Sequence, residues 1–208
     1  MKNIPDLYSE ALEELMRENP IFARGILYGM RSANDFERET KMFDPFSFDT
    51  SNFQGQIAHG ISKVVVVLND YDWVIKIPFV DPDNGEQDEI EFYDMIPEES
   101  RKFFARNSSH FLWEVDDGGD ELVCYLQEKA SIDTCQVMSD LTSTTDLFSD
   151  QNATNEGLDV FTNYYDEDDL RILEKVVYDY DLYDIHTENV GYNDEGRPIV
   201  IDYSFYYI

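Results

Sequence analysis

The chain has 208 residues, 42% hydrophobic and 14% aromatic, enough for one good core or a core with an appendage and too apolar for a disordered polymer. Fifteen basic against forty-five acidic residues give a formal net charge of −30, which excludes nucleic acid as a direct partner because its phosphates would be repelled. The same balance suits solubility, a basic protein partner, or mimicry of a nucleic acid's charge.

Cys124 and Cys135 are the only cysteines and lack metal-type spacing, so a disulfide framework is not expected and a reducing cytosol fits. The start, Met1 to Asp6, has no apolar leader and no run approaches a membrane span. A cytoplasmic location without membrane contact is expected.

Residues 5–19 predict an amphipathic helix, with Leu7, Ala11, Leu12, Leu15 and Met16 opposite Glu10, Glu13, Glu14 and Glu18. A second apolar segment runs from Pro20 to Met30, and 31–52 reads as polar loop anchored by Phe43, Phe46, Phe48 and Phe53. From residue 53 the period changes to two. Residues 53–58, 63–68 and 73–79 predict three strands, the last two joined by a turn at 69–72. Val64 to Val67 is a β-branched run that fits a strand buried on both faces.

After the breakers at 82–85, residues 86–106 predict a helix interrupted at Pro97. Residues 111–115 and 121–129 predict a second hairpin. Residues 139–157, rich in Ser, Thr, Asp and Asn, predict a long mobile loop. Asp166 to Asp169 opens a helix over 170–180, and 190–192 pairs with 198–201 across a turn at 193–196.

Chemistry concentrates near the C-terminal end of the sequence. Asp184, His186 and Asn189 form the pattern Asp-x-His-x-x-Asn, and Asp202 follows thirteen residues after Asn189. Oxygen-bearing side chains at these intervals suit a magnesium-nucleotide site: one acid orients or deprotonates a hydroxyl, while an Asn and a second acid hold the metal. Asp202 lies in the apolar run 199–203, where a carboxylate needs a partner. His186 reads either as a site residue or as a structural histidine that pins the loop. Lys76 ends the apolar strand Trp73-Val-Ile-Lys76; alone it reads as a snorkelling surface lysine.

Taken in order, these segments resemble the protein-kinase-like superfamily over roughly residues 53–204. The pattern Asp184-x-His186-x-x-Asn189 is most similar to aminoglycoside and choline kinase-type phosphotransferases, which place a His two residues after the catalytic Asp. The resemblance implies an α+β fold with a five-stranded antiparallel small lobe at 53–129. A helical extension at 1–52 would precede it. A mainly helical large lobe at 130–208, truncated after the metal-binding acid, would follow.

The resemblance also implies ATP and Mg2+ as cofactors, with Asp184 as catalytic base, Asn189 and Asp202 as metal ligands, and Lys76 on the α- and β-phosphates. Glu89 is the expected carboxylate partner of Lys76, because Phe92 and Tyr93 at i+3 and i+4 turn the same face inward; Glu91 is the alternative. The turn from Gly55 to Gly60 carries two glycines where a full phosphate loop has three, and Ser62 or Lys63 adds donors nearby. Tyr203-Ser204 stands where protein kinases place Phe-Gly. The aromatic tail at 203–208 either packs inward or forms an interface.

Two functions follow as expectations. One is a minimal phosphotransferase that moves the γ-phosphate of ATP to a protein hydroxyl, its own included, or to a small molecule. The other is a non-catalytic interaction protein on the same fold, whose acidic surface occupies the basic groove of a nucleic-acid-binding host protein. The latter suits a viral or mobile-element protein acting in the host cytoplasm.

Overall fold

In this computed structural model the described residues are 55–59, 63–68, 71–78, 89–108, 110–114, 121–141, 155–182 and 185–203, with Glu10, Glu13 and Arg17. Glu10, Glu13 and Arg17 are helical and exposed, in keeping with the polar face expected of that stretch. The other N-terminal expectations lie outside the described residues. The chain forms two compact units, one from Met1–Asn84 with Ser108–Gln127 and one from Gly85–Asn107 with Glu128–Ile208.

In the first unit β1 (Gly55–His59), β2 (Lys63–Leu68) and β3 (Trp73–Pro78) form an antiparallel ladder. Its register pairs Gly55 with Leu68, Val65 with Lys76, and Lys63 with Pro78. β4 (Phe111–Glu114) and β5 (Glu121–Glu128) form an antiparallel hairpin, with Phe111 opposite Cys124. The strand order β1-β2-β3-β5-β4 sets this hairpin beside β3. Neighbours in this order are hydrogen-bonded, so ladder and hairpin together make one five-stranded sheet, the strand count expected.

Cross-strand partners share a face, so the register sorts the side chains of β2 and β3 into two sets. Val64, Val66, Leu68, Ile75 and Ile77 occupy one face and are all buried. Lys63, Val65, Val67, Val74 and Lys76 occupy the other, where Val65 and Val67 are only half-buried. The expectation of a strand buried on both faces is corrected accordingly. The β-branched run fits one fully apolar face and a second face that carries two lysines.

In the second unit α1 (Glu89–Met95) is followed by Pro97, whose ψ of 144° is extended, and then by a 3-10 segment, Glu98–Phe103. The proline ends the α-helix where expected because it has no N–H to donate and its ring crowds the preceding turn. α2 (Thr134–Leu141) starts at Asp133, whose carboxylate accepts from the Gln136 N–H at 3.1 Å. A second 3-10 segment spans Glu156–Asn163, and α3 spans Glu167–Asp179. Asp166 caps α3 by accepting from the Asp169 N–H at 2.9 Å, so this helix begins a turn earlier than expected.

The core of this unit gathers Phe92, Phe103, Phe104, Val137, Phe161 and Leu173 from all of these elements. The expected loop at 139–157 is corrected at both ends: 139–141 belong to α2, and 155–157 are ordered and largely buried. Residues 142–154 lie outside the described residues. No helix among the described residues is long and apolar enough to cross a membrane.

Candidate functional site

The second unit carries a short hairpin, β6 (Val190–Tyr192) and β7 (Pro198–Val200), with Val190 opposite Val200. Its turn is closed by the Asn193 side chain, whose Oδ1 accepts from the N–H groups of Glu195 and Arg197, both at 3.0 Å. Gly196 completes the turn at φ 71°, a conformation that favours glycine. The pairing continues one step beyond the strands, where the Ile201 N–H donates to the Asn189 carbonyl oxygen at 2.9 Å. Asn189 therefore stands opposite Ile201, and Asp202 is the next residue. Both Asn189 and Asp202 are half-buried, so Asp202 is less enclosed than its apolar run predicts.

Each of these two residues is held by its neighbours. Asn189 ends the single 3-10 turn Thr187–Asn189, which His186 caps: Nδ1 accepts from the Glu188 N–H at 3.2 Å. The Asn189 N–H in turn donates to the His186 carbonyl at 3.0 Å. His186 thus pins this turn. On the other side Tyr203 is buried, its ring 5.2 Å from Phe92 and 5.2 Å from Phe104. Its hydroxyl donates to the Ala105 carbonyl at 2.7 Å and accepts from the Asn107 amide at 2.6 Å. The start of the aromatic tail is therefore tucked inward; residues 204–208 lie outside the described residues.

The loop that leads into this turn is clamped by residues that the sequence reading assigned to a mobile loop. Asn155, 2% exposed, donates from Nδ2 to the Leu182 carbonyl at 2.8 Å. Its Oδ1 accepts from the Ile185 N–H at 3.2 Å. Two residues on, the Gly157 N–H donates to the Ile185 carbonyl at 2.9 Å. A Cβ on Gly157 would lie 2.6 Å from the Ile185 oxygen and 2.7 Å from the His186 oxygen, so only glycine fits. Asp184 falls between the two residues that Asn155 bridges and itself lies outside the described residues.

The remaining predicted residues divide between the units. Lys76 is 4% exposed, which overturns the snorkelling reading, and Lys63, 6% exposed, is its diagonal neighbour on the same sheet face. Lys63 is thus a second buried lysine on that face. Gly55 opens β1, while Gly60 and Ser62 lie outside the described residues. In the second unit Glu89 is 1% exposed at the first turn of α1, whereas its alternative, Glu91, is exposed.

Asp159 is a further buried carboxylate, in the 3-10 segment after Asn155, that the sequence reading missed. Among the described residues no group of three or more His, Cys, Asp or Glu side chains is placed to hold a metal. Of the expected metal set only Asp202 is both of these types and described. An Asn amide oxygen and a carboxylate on neighbouring backbone positions are nonetheless hard oxygen donors of the kind Mg2+ takes. No protein-family model matches the sequence, and no curated protein matches it.

Proposed function

We propose that this chain is a kinase-like phosphotransferase that binds Mg-ATP and passes its γ-phosphate to a hydroxyl. The observation that supports the reading best is the register of the β6–β7 hairpin, which sets Asn189 beside the position that Asp202 leaves. An amide oxygen and a carboxylate presented from the two arms of one hairpin, both half-exposed, suit a divalent cation on a polyphosphate. The burial of Lys76 and Glu89 adds to it, since ionisable groups this enclosed require compensation and are frequent at functional sites.

The residues present fit the cofactor, and bound Mg-ATP would supply both the phosphoryl group and the charge neutralisation it needs for transfer. In this reading Asn189 and Asp202 offer oxygen donors to the metal. Lys76, with Lys63 on the same face, offers ammonium groups to the α- and β-phosphates. Gly55 at the start of β1, with Gly60 and Ser62 after that strand in sequence, would offer donors to the phosphates. Asp184 accepts the proton of the attacking hydroxyl, whether that hydroxyl belongs to a protein or a small molecule.

The test is γ-phosphate transfer from ATP by the purified chain to itself, to lysate proteins and to hydroxyl compounds, with Asp184→Ala and Asp202→Ala as controls. Transfer that both substitutions abolish supports the reading. Absence of transfer together with absence of any nucleotide-dependent rise in melting temperature overturns it and leaves the acidic interaction protein.

A further inference from the structure

We propose that Asn155 and Gly157 are positioning residues for the loop that carries Asp184 and Asn189, a role that rests on the phosphotransferase reading above. The Asn155 amide uses its donor on the Leu182 carbonyl and its acceptor on the Ile185 N–H, so one side chain fixes both ends of a span of three peptide units. Such a bridge is specific to an amide, because a carboxylate lacks the donor and a hydroxyl lacks the reach to both groups.

Gly157 adds a second, independent restraint. Its N–H holds the Ile185 carbonyl, and its missing side chain lets the backbone of 185–186 lie against it. The restraint passes onward through His186, whose carbonyl and Nδ1 set the turn ending at Asn189. Asn189 is in turn registered on Ile201, one residue from Asp202. A series of hydrogen bonds thus leads from Asn155 and Gly157 through the 185–189 segment to Ile201, the residue before Asp202. Buried side-chain bonds of this kind are worth most when every group is satisfied, and both polar ends of Asn155 are.

The experiment compares Asn155→Ala, Asn155→Asp and Gly157→Ala with Val160→Ala, a truncation of a buried residue in the same 3-10 segment that makes no bond to the loop. Phosphate transfer and amide hydrogen exchange over residues 182–189 are measured for each. With transfer established in the unmodified chain, Asn155→Ala is expected to lower kcat about 10- to 100-fold with KM for ATP within about 2-fold, as misplacement of a reacting group does. Exchange of the 182–189 amides rises in the same variant. Val160→Ala lowers the melting temperature without either effect.

Asn155→Asp supplies a readout that a merely structural residue would not give. Relative to the unmodified chain at each pH, its loop exchange is fast near neutrality and recovers as acid protonates the introduced carboxyl, which then donates to the Leu182 oxygen. Unchanged kcat in Asn155→Ala, in a chain that does transfer phosphate, overturns the positioning role and leaves the phosphotransferase reading standing. If the unmodified chain transfers nothing, that reading falls and the catalytic role with it. The exchange data then still decide whether Asn155 clamps the loop. Exchange over 182–189 that rises no more in Asn155→Ala than in Val160→Ala overturns the clamp.

Discussion

The N–H of Ile201 donates to the carbonyl oxygen of Asn189 at 2.9 Å, which extends the β6–β7 ladder one pair beyond Val190 and Val200. This bond fixes the chain one residue before Asp202, and it puts Asn189 and Asp202 at the open end of one hairpin.

Asp202→Asn and Asn189→Ala are therefore expected to remove the magnesium-dependent part of the stabilisation by ATP. Both residues are half-buried, and replacing either is expected to change the stability of the ligand-free chain by no more than about 1 kcal/mol. A ligand at one hundred times its Kd stabilises a native state by about 2.7 kcal/mol, which thermal melts resolve. Melts with ATP, with and without Mg2+, check the point. A magnesium-dependent shift of wild-type size in Asp202→Asn would remove that residue from the site.

Much of this was legible in the sequence wherever a short-range pattern fixes the structure. The period-two runs located β2 and β3, Pro97 ended α1, and the i+3 spacing of Glu89 and Phe92 put both inside, with Glu91 exposed. What failed was the inference from polar composition to a loop. Asp140 lies in a Ser- and Asp-rich stretch, yet its Oδ2 accepts from the Tyr164 hydroxyl at 2.7 Å and the Tyr192 hydroxyl at 2.6 Å. Asn155 spends its amide on backbone 27 and 30 residues away. Polar groups that are satisfied by distant partners look solvated in a local window, and nothing within that window reveals the partners. The start of α2 was legible and went unread: Asp133 followed three residues later by Gln136 is a helix-opening signal.

Tyr203→Phe isolates the contribution of the hydroxyl that anchors the residue after Asp202. The ring contacts with Phe92 and Phe104 survive, but the Ala105 carbonyl loses its donor and the Asn107 amide its acceptor. Leaving such buried groups unpaired is expected to cost about 1–3 kcal/mol. Tyr203→Ala, which also empties the ring's volume, is expected to cost about 3–5 kcal/mol. Equal losses in the two variants would mean that the hydroxyl carries all of the stabilisation.

Cys124 and Tyr165 are expected to contribute to the loss of stability at alkaline pH, alongside Tyr192, whose hydroxyl is also pushed up by burial and its bond to Asp140. Burial pushes the Cys124 thiol up from 9.0 to about 12. It also pushes the Tyr165 hydroxyl up from 10.0 to about 12, against a smaller opposing effect of Arg197. Each group is neutral when protonated and holds its proton more tightly in the folded state. Its contribution is therefore complete below the unfolded pKa and is lost as pH climbs toward the folded one. The window opens near pH 9.0 for Cys124 and near pH 10.0 for Tyr165, and both close near 12. Between about pH 8 and 10 the thiol dominates, since the phenol has only begun to titrate in the unfolded chain. Cys124→Ala starts less stable, because it opens a small cavity at a fully buried position, but loses less over that interval. Urea midpoints at about pH 8 and 10 measure the difference, and parallel losses in the two proteins would exclude the thiol as the cause.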